Sequence, residues 1–143
     1  MKKYVAGFMF SPDKTEVLLI EKLSPAWQKG FLNAIGGLVE EGEASAEAMA
    51  REFEEETGVK TAAAKWLHFA TIEIKGDYSV DFYKICSRKI SAARTVEREK
   101  VVRCAVDNLP SNIVPNLAWL IPLALDEKIS FELPVLFREK SAN

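Results

Sequence analysis

Residues 37–59 read GLVEEGEASAEAMAREFEEETGV, and this stretch decides the fold of the chain. Its central part, residues 44–57, is rich in Ala and Glu and contains neither Gly nor Pro, which predicts an α-helix. Gly58 follows directly, and a glycine at this position commonly ends a helix. We therefore expect a helix over residues 44–57 that stops at Gly58.

Three glutamates share one side of this predicted helix. At about 100° per residue, Glu52, Glu55 and Glu56 occupy a sector apart from that of the apolar side chains. The apolar sector consists of Ala46, Met49, Ala50, Phe53 and Thr57. Neighbouring carboxylates repel one another, and a set of oxygen ligands suits Mg²⁺ or Mn²⁺ better than zinc. The cluster by itself fits either a metal site or a solvated acidic surface.

Two further residues belong to the surroundings of these glutamates. Ala48 precedes Glu52 by four residues, so we expect its small side chain to leave room beside the carboxylates. Arg51 precedes Glu55 by four residues, which is close enough to hold that carboxylate in one orientation.

The wider spacing separates the metal site from the acidic surface. Five residues lie between Gly37 and Glu43, and seven more lead to the run at 51–59. This pattern resembles the Nudix box, Gly-x5-Glu-x7-Arg-Glu-U-x-Glu-Glu-x-Gly-U, where U is a bulky aliphatic residue. The fixed positions are matched by Gly37, Glu43, Arg51, Glu52, Glu55, Glu56 and Gly58. Val59 fits the last U, whereas Phe53 departs mildly because it is aromatic.

The resemblance implies a fold and a domain organisation. Residues 1–143 would form a single Nudix hydrolase domain with its Nudix box at 37–59. The fold would be of the α+β class, with a mixed β-sheet sandwiched between helices as an α/β/α sandwich. Fold class alone does not establish an activity.

The rest of the chain agrees with such a sandwich. Apolar and β-branched runs predict strands over 5–10, 17–20, 66–74, 78–86 and 101–106. A short apolar piece, 32–35, runs into Gly36 and Gly37, where a bend or a close backbone approach is expected. Pro115 can open a second helix over 116–125, which Pro122 should kink or shorten, and 129–133 predicts a short last strand.

The resemblance also implies a metal site. Mg²⁺, with Mn²⁺ as a substitute, would be held by Glu52, Glu55 and Glu56 with help from the backbone carbonyl of Gly36. Arg51 would brace these ligands, as would Glu43. Bound metal ions neutralise phosphate oxygens and activate a water molecule for attack on phosphorus.

An acidic residue outside the box contributes to the metal site of MutT-like members of this family. Glu97 and Glu99 are the candidates here, and their two-residue offset would place both on one face of an extended segment. We favour Glu99 as catalytic residue and metal ligand, because the run that follows it resembles the corresponding MutT-like segment. A solvated loop charge is the alternative for either residue. Asp81 and Glu73 are weaker candidates, expected on strand surfaces.

Substrate choice depends on residues outside the box. The segment 27–37, WQKGFLNAIGG, resembles MutT-like hydrolases of oxidised purine nucleoside triphosphates. The resemblance implies that Asn33 and Asn116 contact the base, since an amide offers both a donor and an acceptor. Trp27 could stack on the ring, and Gly37 would let the backbone approach the phosphates. Loop capping by Asn33 and helix capping by Asn116 are the alternatives.

One position departs from the MutT-like pattern. Many MutT-like members carry Lys directly after the two glycines, but this chain has Leu38. A possible phosphate contact is therefore lost. We still expect hydrolysis of a (deoxy)nucleoside triphosphate, such as an oxidised purine dNTP, to the nucleoside monophosphate and pyrophosphate.

Other functions stay open at this point. They include a Nudix hydrolase of a sugar nucleotide or dinucleoside polyphosphate, an isoprenyl diphosphate isomerase, and a non-catalytic Nudix-like nucleotide sensor. The isomerase would need further catalytic Cys and Glu motifs that the sequence does not show. A sensor would commonly have lost some of the glutamates that are all present here.

Charge and composition narrow the partners. The formal net charge of -2 provides no basic field to recruit nucleic acid or an anionic membrane, so we expect neither partner. The apolar run near the start stops at Ser11, too short for a signal peptide, and Cys86 and Cys104 are too few for a disulfide framework. We expect a cytoplasmic protein that acts on a small nucleotide, with a homodimer as a possible assembly.

Overall fold

The structure, a computed structural model, describes residues 1–130 and 132–140. Within them, one mixed β-sheet has a helix on each face. The strands are β1 Lys2–Phe10, β2 Glu16–Glu21, β3 Leu32–Asn33, β4 Ile35–Leu38, β5 Leu67–Ile74, β6 Tyr78–Cys86, β7 Val101–Ala105 and β8 Val135–Glu139. The helices are α1 Ser45–Thr57 and α2 Leu117–Leu125. The predicted α+β class and sandwich architecture are confirmed.

Strand β1 lies at the centre of the sheet. The strand order is β3-β2-β1-β6-β5-β8, and β4 and β7 pair off this path with β1 and β2. β1 runs parallel to β6 along its whole length. On its other edge, residues 4–7 pair antiparallel with β4, while Phe10 pairs with β2. The Gly36–Gly37 segment of β4 is thereby brought beside the central strand.

Alternation along β1 divides the apolar side chains between two cores. Phe8 and Phe10 face α2, whereas Val5 and Met9 face α1, as the two-residue period of a strand requires. α1 comes especially close to the sheet at Gly7, where an added Cβ would lie 2.7 Å from the sulfur of Met49. A larger residue at this position of β1 would therefore push α1 away from the sheet.

Helix α2 ends soon after its proline. Leu117, Leu120 and Ile121 are buried against the sheet, and the helix continues past Pro122 to Leu125. At nine residues it is about 14 Å long, and so it covers only part of the sheet. No helix in the described part of the chain is long and apolar enough to cross a membrane.

Several expectations from the sequence are wrong in detail. The strand predicted over 129–133 is absent from the described residues of that stretch. Phe131 lies outside the described residues. The last strand is instead β8, which begins after Pro134 because proline has no N–H to give to a sheet. Ala48 does not lie on the glutamate face as expected, since it is fully buried in the core under α1.

Asp81 is buried rather than on a strand surface. Its carboxylate accepts hydrogen bonds from Ser45 Oγ at 2.7 Å and Thr71 Oγ1 at 2.8 Å, and it pairs with Lys3 Nζ at 3.2 Å. Burial raises the pKa of Asp81, but the hydrogen bonds outweigh burial, so the pKa lies below its ordinary value of 3.8. The carboxylate thus connects the first turn of α1 to three strands.

Replacing this carboxylate tests its contribution to stability. Asp81→Asn is expected to lower the free energy of unfolding by about 2 kcal/mol at pH 7, because an amide cannot accept from all three donors. The folded-state pKa lies below 3.8, so the contribution is complete above pH 3.8 and is lost as the pH falls through the folded-state value. Urea unfolding should therefore show the two proteins converging in acid, while Glu73→Gln, on the neighbouring strand, has little effect.

Candidate active site

Two glycines of β4 allow the closest approaches at the site. A Cβ on Gly36 would lie 1.9 Å from the carbonyl oxygen of Val5 on β1. A Cβ on Gly37 would lie 2.4 Å from the carboxyl carbon of Glu52. β4 is therefore held between the backbone of β1 and a carboxylate of α1, and neither position has space for a side chain.

Arg51 joins the glutamates of α1 to the preceding loop. Its Nε and Nη2 donate to the two oxygens of Glu43 at 2.7 and 3.0 Å, and Nη2 also donates to the carbonyl of Leu38 at 3.0 Å. Nη1 donates to Glu52 at 2.9 Å and to Glu55 at 3.2 Å. One guanidinium thus orients three carboxylates, which is the bracing role that we expected for Arg51.

The carboxylates near α1 have different electrostatic environments. The hydrogen bond from Arg51 lowers the pKa of Glu43, and the same contact raises that of Arg51. Burial raises the pKa of Glu52 despite its contact with Arg51. Burial also raises the pKa of Glu56 to about 7, against a lowering effect of Lys22. The site therefore holds carboxylates whose charged form is incompletely compensated.

Glu56 provides the test of whether a metal ion fits. Its Oε2 is buried and has no hydrogen-bond partner among the described residues. Within the described ranges, no three Asp, Glu, His or Cys side chains are arranged so that they could hold a metal ion together. Glu52 and Glu55 instead accept hydrogen bonds from Arg51. A buried anion needs a counter-charge, and the other carboxylates on this helix face can reorient. The donor set fits Mg²⁺.

Glu97 and Glu99 lie close to these glutamates. The charge of each raises the pKa of Glu56. Residues 97–99 form a bend before β7, so the expected extended segment is wrong. Glu99 accepts hydrogen bonds from the backbone N–H of Leu23 at 2.7 Å and from Lys22 Nζ at 3.2 Å, whereas Glu97 is exposed.

A cavity of about 430 Å³ is lined in part by Gly37 of β4. Its lining includes all the residues expected to touch substrate: Trp27, Asn33, Gly37 and Asn116. Gly36 also lines it, so the cavity reaches the strand that carries the carboxylate contacts. Trp27 is 65% exposed, which places its ring at the rim and leaves it accessible to a ligand.

The two asparagines differ in their hydrogen bonds. Asn33 Nδ2 donates to Gln28 Oε1 at 2.9 Å, and its Oδ1 accepts from the N–H of Ala34 at 2.8 Å. Asn33 thus holds the loop and strand around it. Asn116 makes no capping hydrogen bond to α2, and its Oδ1 is buried without a partner among the described residues. Asn116 therefore presents an unused acceptor at the cavity wall.

Some cavity residues were missed in the sequence. Lys22 lines the cavity and forms an ion pair with Glu99. The only sign of this role in the sequence was the position of a cation directly after a strand. Tyr4 and Tyr78 form a wall in edge-to-face contact, with ring centroids 5.7 Å apart. Tyr4 and Tyr78 are distant in sequence, and only the parallel pairing of β1 with β6 brings them together.

Solved structures with the same fold include several hydrolases. The MutT NUDIX hydrolase from Burkholderia pseudomallei has a TM-score of 0.71 and 19% identity, covering 87% of this chain and 98% of that one. The mutator MutT protein from Bacillus halodurans has a TM-score of 0.72 and 18% identity, covering 98% and 91%. A MutT structure from work on Aliivibrio salmonicida and Vibrio cholerae has a TM-score of 0.63 and 22% identity, covering 85% and 96%.

No curated protein matches the chain by sequence. At the low identities of the solved structures, their likeness establishes the fold. The model of the NUDIX domain family matches residues 1–116, which include the whole glycine and glutamate pattern of 37–59. Together with the glutamate helix and the cavity beside it, this match confirms the predicted family. The chain therefore belongs to the NUDIX domain family.

Proposed function

We propose that the chain, with residues 1–143 acting as one catalytic domain, is a Mg²⁺-dependent hydrolase of a purine nucleoside triphosphate. The carrying observation is that Gly36 and Gly37 both line the 430 Å³ cavity, while Gly37 also lies against Glu52 of α1. A base in the cavity would place its phosphates over β4. An oxidised purine dNTP is the proposed substrate, and the products are the nucleoside monophosphate and pyrophosphate.

Glu52, Glu55, Glu56 and the carbonyl of Gly36 would hold the metal. Mg²⁺, or Mn²⁺ in its place, neutralises phosphate oxygens and activates a water molecule. The buried Oε2 of Glu56 supports this assignment, because it has no other partner among the described residues. Arg51 keeps the carboxylates oriented through its contacts with Glu52 and Glu55.

Glu99 is the proposed general base, and Glu97 a further metal ligand. To reach a water molecule, Glu99 would give up its hydrogen bonds to the N–H of Leu23 and to Lys22. Lys22 would then be available to a phosphate. Because Lys22 lines the cavity, it supplies the cation that the sequence lacks at Leu38.

The base would be read chiefly by Asn116. Its unpaired Oδ1 can accept a hydrogen bond from an N–H of a purine edge, and a buried acceptor gains most from such a donor. The side-chain amide of Asn33 has a second N–H besides the one that it donates to Gln28, and this N–H can contact the base. Trp27 at the rim can stack on the ring. We further propose that the enzyme acts in the cytoplasm on this small molecule, without nucleic acid or membrane, and forms a homodimer.

A screen of substrates tests the activity. Products are identified by mass after incubation with Mg²⁺ and dGTP, 8-oxo-dGTP, ADP-ribose, a sugar nucleotide or a dinucleoside polyphosphate. We expect triphosphates to give monophosphate and pyrophosphate, and Glu56→Gln to lower turnover about 100-fold. Glu54→Gln, exposed on the same helix, is the control. Inert triphosphates alongside a cleaved sugar nucleotide would refute the substrate, and full turnover by Glu56→Gln would refute the metal site.

A second substitution tests base recognition. Asn116→Leu is expected to raise KM for a purine triphosphate about tenfold, which corresponds to one hydrogen bond, and to leave kcat nearly unchanged. The protein should remain as stable as the wild type, because the change removes an unpaired buried oxygen. Steady-state kinetics measure KM for Asn116→Leu and for the control variant Asn108→Leu. Asn108 is an exposed asparagine outside the cavity. Equal KM values for both variants would exclude Asn116 from base binding.

Substitution of Gly36 should affect stability, whereas substitution of Gly37 should affect metal binding. Gly36→Ala is expected to lower the free energy of unfolding by about 3 kcal/mol, because its Cβ would meet the backbone of Val5. Gly37→Ala should fold nearly normally, since the flexible side chain of Glu52 can move aside, but it should bind Mn²⁺ more weakly. Urea unfolding and Mn²⁺ titration separate the two effects. Wild-type Mn²⁺ affinity in Gly37→Ala would show that the position of Glu52 is unimportant.

A further inference from the structure

The segment 87–100 joins β6 to β7 and carries two of the acidic residues. Glu97 and Glu99 occur near its end, and Glu99 is hydrogen-bonded to Lys22, which lines the cavity. At its exit the segment is tied to β2, where the N–H of Glu21 donates to the carbonyl of Lys100 at 2.8 Å. The contacts that fix its entry, together with those at its exit, set where the two acidic side chains lie.

Arg94 fixes the entry by contact with the end of α1. Its backbone N–H donates to the carbonyl of Thr57 at 3.0 Å. Its guanidinium lies against Gly58: a Cβ there would be 3.1 Å from both Cζ and Nη2 and 3.2 Å from Nε. Three nearly equal distances mean that the flat face of the guanidinium rests on the glycine. A Cβ at this position would require the guanidinium to shift by a few tenths of an ångström.

The contact also suits the chemistry of a helix end. The last carbonyls of a helix lack partners within it, and the N–H of Arg94 satisfies that of Thr57. A cation is favourable beside the negative end of the helix dipole. Ile90, 2% exposed in the core under α1, anchors the same segment four residues earlier. The entry is therefore docked on α1 by backbone, charge and apolar contacts.

Beyond Arg94 the chain closes into a small loop. Thr95 Oγ1 accepts a hydrogen bond from the N–H of Val101 at 3.0 Å, so the ends of the loop 95–101 are joined. Glu97 and Glu99 lie inside it. A closed loop moves largely as one body, and Arg94 is the residue directly before its first member. A shift at Arg94 would therefore displace both glutamates together.

We propose that Arg94 is a positioning residue, which docks the closed loop 95–101 on the end of α1 so that Glu97 and Glu99 face the glutamates of that helix. The proposal rests on the proposed function in that those glutamates bind metal. Glu52, Glu55 and Glu56 lie in the last two turns of α1, and the docking point is at the end of the same helix. Arg94 thus sets the distance between the loop glutamates and the glutamates of α1, without touching metal or substrate.

The test compares Arg94→Ala with Arg88→Ala, an exposed arginine at the start of the same segment. In metal-free protein, hydrogen exchange should become faster at the amides of Val101 and Leu23, which are bonded to Thr95 and Glu99. Amides of α1 upstream of its last turn should keep their protection. Mn²⁺ binding without nucleotide, followed by the signal of free Mn²⁺, should weaken about tenfold. Arg88→Ala should match the wild type in every measurement.

Kinetics supply a readout that a purely structural role would not change. Arg94→Ala should need more Mg²⁺ for half-maximal rate, whereas KM for nucleotide at saturating Mg²⁺ stays the same, because the cavity is unchanged. Unchanged exchange at Val101 and Leu23, or unchanged Mn²⁺ affinity in Arg94→Ala, overturns the positioning role. If the wild type itself binds no Mn²⁺, the proposed function fails, and the exchange data still decide whether Arg94 holds the loop.

Discussion

The close approach of β4 to its two neighbours is the constraint on which the site depends. Gly36 lies against the carbonyl of Val5, and Gly37 lies against the carboxylate of Glu52. Because neither glycine has a side chain, α1 can lie directly beside β4 while β4 pairs with the central strand. Gly37 therefore lines the cavity and at the same time lies against the carboxylate of Glu52.

Electrostatics then divides the glutamates into two groups. Arg51 compensates Glu43, Glu52 and Glu55 through direct hydrogen bonds, which orients them. Glu56 faces a different way, towards Lys22 and the acidic loop, and its buried oxygen has no donor among the described residues. The proposed metal ion would provide the missing positive charge at that point. The bracing of some carboxylates and the incomplete compensation of another are therefore complementary parts of one site.

The cavity follows from the unequal cover of the two sheet faces. α2 is about 14 Å long, while β1 extends about 30 Å, so the helix cannot cover the strand from end to end. It covers Phe8 and Phe10 and leaves Ala6 and Tyr4 open. Asn116 sits directly before the helix, where its side chain reaches this uncovered surface. The same short helix thus seals the core and limits the cavity.

The family, the helix of residues 45–57 to within one residue and most strands could be predicted from the sequence, because these depend on local spacing and on backbone preferences. The sequence also identified Asn33 and Asn116 as cavity residues through their resemblance to MutT-like proteins. Only the tertiary structure decided the rest. Strand pairing buried Asp81, joined Tyr4 to Tyr78 and moved the last strand to β8. The partners of Lys22 and Arg94 are distant along the chain, and such contacts form only when the whole sheet has assembled.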